Sequence, residues 1–339
     1  MNTKFREGDF IESIDNVFFD VKGLVHPPKG VVAFIRFIPD PNGDRKRYGI
    51  SYRKTYPLSE RYALLKKTFS QYLVYDQVFN EQLCEVPVEN VKRHYQPVDC
   101  LLDLRHRNKL DEVESQALQF IEILGKTADV SFEKLGISGS ILVSLHTLAS
   151  DIDPIVYGSK ACYKVYSALR SLLEDDESPV KRYSSKEVKE LFTFRSKDTV
   201  MEFEDFVRTE SRKVLQGKFH QREYFIRCVK DWNEINEEYG MFHYTPIGYA
   251  RIRAKVIDDA EAIFTPCSYK IDEVEILEGT TAPKPIREIV SFRGRFCEQA
   301  KNGETVIAQG KVEKVQKKSQ RPHYRLLLGN KTSDHLILG

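Results

Sequence analysis

No stretch of this 339-residue chain approaches eighteen consecutive apolar residues, so no helical membrane span is expected. The opening residues, MNTKFREGDF, are polar and charged, which argues against a secretory leader. The six cysteines (84, 100, 162, 228, 267 and 297) lie far apart and form no Cys-x-x-Cys pair. Their spacing argues against a structural zinc site or a disulfide framework and leads us to expect reduced thiols in a cytoplasmic protein. Excess charge is missing too. Fifty-two Lys and Arg stand against 50 Asp and Glu, a net charge of +2. No global field draws such a chain to nucleic acid, so any basic surface must be local. There is no internal repeat and no low-complexity stretch.

The composition that remains, 41% hydrophobic and 30% charged, is that of a globular chain with room for two or three domains. Up to about residue 55 it reads as strands and turns. VFFDVKGLV (17–25) and VVAFIRFI (31–38) are rich in β-branched and aromatic residues, with His26-Pro27-Pro28-Lys29-Gly30 as a rigid turn between them. A basic patch follows, in which Arg45, Lys46, Arg47, Arg53 and Lys54 interleave with Tyr48 and Tyr52. It suits either a phosphate backbone or a charged sheet edge that blocks strand addition. Ser59 is a candidate cap for a helix to Phe69. Leu110, Val113, Ala117, Phe120, Ile121 and Leu124 share one helical face, with Gly125 as the expected stop. Cys162 belongs to the apolar face of a helix running to Leu173. Ser184 and Glu187 form a capping box, and a further helix is expected over 198–215. From about residue 241 short strands dominate, with a basic alternation at Arg251, Arg253 and Lys255 and an Asn302-Gly303 turn.

The chemistry concentrates in LGISGSILVSLHTLASDIDPIVYG (135–158). A short apolar approach meets Gly139-Ser140, one and a half to three turns of helix are expected next, and Asp151-Ile152-Asp153 leads into an apolar run. On a strand, residues i and i+2 point the same way, so Asp151 and Asp153 share a face. Neighbouring carboxylates repel unless a cation lies between them, and Mg²⁺ is the usual one. The Gly-Ser pair permits close backbone approach and offers a hydroxyl and N–H groups to a phosphate. Pro154 cannot donate to a sheet ladder, which predicts an edge strand or a bulge there.

Gly139-Ser140 followed by Asp151-x-Asp153 resembles the signature of the DNA polymerase beta-type nucleotidyltransferase superfamily. The resemblance covers about a hundred residues, from the helix before the motif to residue 223. It implies an α/β (α+β) fold, with a mixed-sheet core and flanking helices over 106–240. An N-terminal α+β domain (1–105) and a C-terminal small β-barrel or sandwich (241–339) would complete the chain. The implied reaction moves a nucleotidyl group from a nucleoside triphosphate such as ATP to a hydroxyl. Gly139 and Ser140 would hold phosphates. Asp151, Asp153 and a third carboxylate on a later strand would be the catalytic residues that hold two Mg²⁺ ions. Glu223, which opens EYFIRCV after a basic loop (Lys218, His220, Arg222), is the candidate third acid, and Asp231 is the alternative. The competing expectation is a non-catalytic nucleic-acid-binding or scaffolding protein that reaches RNA or DNA through basic surfaces, among them the lysines of 301–325.

Overall fold

The structure, a computed structural model, describes residues 4–282, 285–318 and 320–339. The chain forms two compact units, one of Met1–Val74, Cys84–Arg182 and Val214–Asn236, the other of Tyr75–Leu83, Tyr183–Lys213 and Glu237–Gly339. The protein is α+β. Among the described residues no helix is long and apolar enough to cross a membrane. Composition had suggested three segments, 1–105, 106–240 and 241–339. In the fold, most of the first two lie in one unit, and 75–83, 183–213 and 237–240 are counted with the C-terminal strands. The physical reason is pairing between segments distant in sequence. Within the second unit Arg212 forks onto Glu304 at 2.6 and 2.7 Å, and the Val200 amide donates to the Thr332 carbonyl at 2.7 Å.

The first unit opens with an antiparallel sheet in the order Arg45–Arg47, Ile50–Lys54, Gly30–Pro39, Phe18–Val21, Phe10–Ser13, Val91–Tyr95. Along Gly30–Pro39 the period of two sends Val31, Ala33 and Ile35 into a core with Ile11, Phe19 and Tyr72. The register shifts between Phe18 and Phe19, which face Phe37 and Ile35, so Arg36 is the extra residue of a β-bulge. Beyond the bulge, Phe37, Phe18, Phe10 and Tyr52 turn to the opposite face and pack on Leu142, Val143 and Leu145. Of the basic patch, Arg45 and Arg47 are buried and Tyr52 is core, while Tyr48 is 86% exposed.

Against that sheet lies a three-stranded one, with Pro154–Tyr157 in the middle, antiparallel to Leu135–Ile137 and parallel to Arg227–Val229. Helices Glu112–Ala128 and Ser159–Glu174 flank it. Phe120 meets Tyr224 and Phe219 at 4.8 Å each, and the Cys162 thiol donates to the Val156 carbonyl at 3.3 Å, as befits a buried packing residue. The first of these helices runs through Gly125, which is buried within it, and stops at Asp129 (φ 49°); at the other end Asp111 and Glu114 make a capping box. The capping box at Ser184 and Glu187 also forms. The helix expected at Ser59 follows Pro57 instead and covers Leu58–Lys67.

In the second unit five strands close into a barrel. Phe242–Asp258 pairs with both Cys267–Gly279 and Thr305–Lys317, Ile286–Ser291 runs parallel to His323–Leu328, and His335–Leu338 adds to Thr305–Lys317. This is the strand order of an OB-type barrel. Ile252, Val256, Tyr269, Ile289, Val306, Val312 and Leu326 fill it. The basic alternation on its first strand is answered by acids on the second: Arg251 pairs with Glu278 at 3.5 Å, Arg253 with Glu275 at 3.0 Å and Lys255 with Glu273 at 3.6 Å. Where 198–215 was expected to be one helix, the helix is shorter, Phe203–Glu210.

Candidate active site

Leu135–Ile137 delivers the chain to a tight turn at Gly139. Its φ of +67° is a left-handed value that a side chain resists, and a Cβ there would stand 1.9 Å from Asp153 Oδ2. The backbone thus lies directly against a carboxylate. The helix that follows is a single turn, Gly139–Leu142, shorter than the sequence suggested. Ser140 is 2% exposed, and its hydroxyl has no hydrogen-bond partner among the described residues. The Ser138 amide donates to the Asp153 carbonyl at 2.9 Å and its hydroxyl to the Gly8 carbonyl at 2.6 Å, which pins the turn between two sheets. Gly139→Ala should lower stability by about 2–4 kcal/mol, through backbone strain and displacement of Asp153. Urea denaturation of the two proteins measures this.

Pro154 is not on an edge. Its strand is paired on both sides, but the ladder to the parallel neighbour is interrupted there. Ile152 bridges Tyr224, pairing resumes at Ile155 with Arg227, and the register is the same on both sides of the gap. The missing N–H removes a ladder bond without adding a residue. The Ile152 amide donates to the Glu223 carbonyl at 2.9 Å, and the Phe225 amide donates to the Ile152 carbonyl at 3.0 Å. Ile152 and Tyr224 therefore point to the helix side, and alternation places Asp151, Asp153 and Glu223 together on the other face. Asp151 and Asp153 are half-buried, and Glu223 is exposed. Burial, and then the neighbouring Asp151, push the Asp153 carboxyl up to about 6, against the pull of Arg227, Lys54 and Arg36.

Asp231 lies at the far end of this ladder. It caps a short turn with Glu234, pairs with Lys134 and stands beside Gly158, so it does not share the acidic face. Arg222 is committed elsewhere. It donates to the Leu148 and Ser150 carbonyls at 2.7 and 2.8 Å and so holds the loop that leads into Asp151. Among the described residues, the acidic and histidine side chains whose ligand atoms converge within 4.8 Å are Asp111, Glu114 and His146. Asp151, Asp153 and Glu223 are not drawn together to that span. The Asp111 group is explained locally, by the helix cap and by an Arg107–Glu114 pair at 2.9 Å.

Behind the acids lies a buried ionic network with no signature in the linear sequence. Arg227 donates to Glu7 at 3.1 Å and Asp20 at 3.2 Å; Lys22 reaches the same two acids at 2.7 and 3.0 Å. Burial opposes the charge on Asp20, but Arg227, Lys22 and Arg36 outweigh it and hold its carboxyl far below the usual range. Arg227 is likewise raised, because Asp20, Glu7 and Asp153 outweigh its burial. The network joins residues some two hundred positions apart.

No family model and no solved structure matches the chain. It is 32% identical over 334 residues to a protein of Methanocaldococcus jannaschii named uncharacterized protein MJ1086, and the match covers 96% of each. An alignment at that identity, spanning both compact units, is inheritance of the whole chain, and the protein therefore belongs to the MJ1086 family.

Proposed function

We propose that the chain is a metal-dependent nucleotidyltransferase, which moves a nucleoside monophosphate from a nucleoside triphosphate to a hydroxyl of a nucleic acid or other acceptor. One observation carries this reading: Asp151, Asp153 and Glu223 share a strand face beside a glycine turn in contact with Asp153, next to a buried serine hydroxyl without a partner. Carboxylate oxygens are hard donors suited to Mg²⁺, and the raised Asp153 carboxyl marks a place where a cation relieves repulsion. Asp151, Asp153 and Glu223 would hold two such ions. Bound there, magnesium lowers the pKa of an acceptor hydroxyl and neutralises charge on the leaving oxygens. The Ser140 hydroxyl would donate to a phosphate oxygen, and Gly139 lets the turn lie directly against Asp153. Ser138 and Arg222 position the two loops that carry the turn and Asp151. Incubation with each labelled triphosphate, Mg²⁺ and pooled RNA, DNA and protein should label an acceptor and release pyrophosphate. Release without dependence on Asp151 or Asp153 would sink the reading.

A second reading, a nucleic-acid-binding or scaffolding protein without catalysis, is favoured by the closed barrel, a fold that commonly binds single strands. On it Lys317 lies 5.4 Å over the Phe242 ring, and Lys318 is exposed. Charge reversal at Lys314, Lys317 and Lys318 should weaken single-strand binding and flatten its salt dependence, by about 0.7 in the log–log slope per lost phosphate contact. Filter binding across a salt series checks this; unchanged binding at every salt concentration assigns the lysines to solubility.

A further inference from the structure

The sheet at the N-terminus turns one face towards the acidic strand, and its register shows which residues stand there. Asp20 is opposite Phe34, Phe18 is opposite Phe37, and Phe37 is opposite Lys54. Phe18 and Phe37 pack on Leu142, Val143 and Leu145, the segment just after Gly139-Ser140, while Asp20 is bonded to Arg227, the ladder partner of Ile155. Arg36 is the bulge residue between these contacts, and bulges re-aim a side chain. Its carbonyl accepts from the Thr55 amide at 2.9 Å, so it is anchored beside Lys54. Arg36 and Lys54 lie 5.6 and 4.6 Å from the centre of the same ring, Tyr56, which is 41% exposed. Lys22 and Arg227 are consumed by Glu7 and Asp20. Arg36 and Lys54, in contrast, make no ion pair or side-chain hydrogen bond among the described residues. Both are half-buried, and both act on Asp153 through space.

Two cations that make no close ion pair, held in place on the wall of a carboxylate site, can take up a further anion. We propose that Arg36 and Lys54 bind the polyphosphate of a nucleoside triphosphate, so that the N-terminal sheet forms half of the substrate site. Phe37, the ladder partner of Lys54 and the neighbour of Arg36, packs on the segment that follows Gly139-Ser140, which puts the two cations on the phosphate side of the acids. This inference rests on the proposed nucleotidyltransferase function and assigns its substrate contacts to a part of the chain outside the Gly-Ser and Asp-x-Asp motifs.

Isothermal titration of the full chain with inorganic tripolyphosphate, with EDTA and then with Mg²⁺, tests it. Wild type should bind in both. Arg36→Gln and Lys54→Gln should each weaken binding about tenfold or more, the double variant more steeply, and Lys54→Arg should restore most of the loss. Thermal melts should shift by only a few degrees, since each cation loses its contact with the Tyr56 ring and its long-range pull on the carboxylates but no close ion pair. If wild type binds and both variants bind as tightly, the inference is wrong while the proposed reaction stands. If wild type binds neither tripolyphosphate nor any of the four common triphosphates with Mg²⁺, the reaction itself falls, and the inference with it. If the variants lose a single-stranded oligonucleotide but keep tripolyphosphate, the two cations serve an acceptor strand, and the inference is overturned.

Discussion

Asp153→Asn should abolish nucleotidyl transfer, by several orders of magnitude, while leaving the metal-free protein as stable as wild type or more so. The substitution is nearly isosteric, and it removes one charge from a face that must hold a divalent cation. The stability gain has a defined pH window. In the folded, metal-free chain Asp153 titrates near 6, above the 3.8 of an unhindered aspartate. Well below pH 3.8 both folded and unfolded states hold the proton, and the site costs nothing. As pH rises through 6 the folded chain must ionise against burial and Asp151, whereas the unfolded chain has already done so freely. Stability therefore falls across that interval, by roughly 2 kcal/mol once partial solvent screening is allowed for. The asparagine variant should lack that fall. With Mg²⁺ and a triphosphate the order reverses, because wild type gains stability by binding and the variant gains less. Melts at several pH values, with and without both ligands, read all of this. A wild type that responds to neither ligand would point to a vestigial site and to the binding-protein reading.

Arg227→Met should be the most destabilising single change in the first unit, at about 3–5 kcal/mol, or on the order of 10 °C in melting temperature. It leaves Glu7 and Asp20 buried with Lys22 as the cation still paired with both. Here the pH sign is opposite to that of Asp153. The carboxyl of Asp20 is held down in the fold, so its contribution is complete above the normal carboxylate range and is lost as pH falls towards the folded value. The gap between wild type and variant should accordingly be widest near neutrality and narrow on acidification. A constant gap at all pH values would mean that packing of the arginine stem, rather than charge, holds the sheets together. Arg227 also tempers Asp153, so its loss should push that carboxyl still higher.

By itself the sequence determined what is local. The period-two alternation of Gly30–Pro39, the capping box at Ser184 and Glu187, and the strand-rich C-terminal third all follow from steric and hydrogen-bonding preferences within a few residues. So does the shared face of Asp151 and Asp153, which needs only a strand. The tertiary structure decided what depends on register between distant segments. It placed Glu223 rather than Asp231 on the acidic face, because the Ile152–Tyr224 bridge aligns the near end of that strand with the Asp-x-Asp. It turned Pro154 into a gap in a central strand, since a missing donor matters only where a neighbour offers an acceptor. It also buried Arg45 and Arg47 out of an apparently exposed basic patch and left Lys54 and the bulged Arg36 half-buried. A charge reads the same in a sequence whether it is solvated, paired or waiting for a ligand. Which of these it is depends on the groups folding brings within a few ångströms, and for Arg227 those are residues 7 and 20.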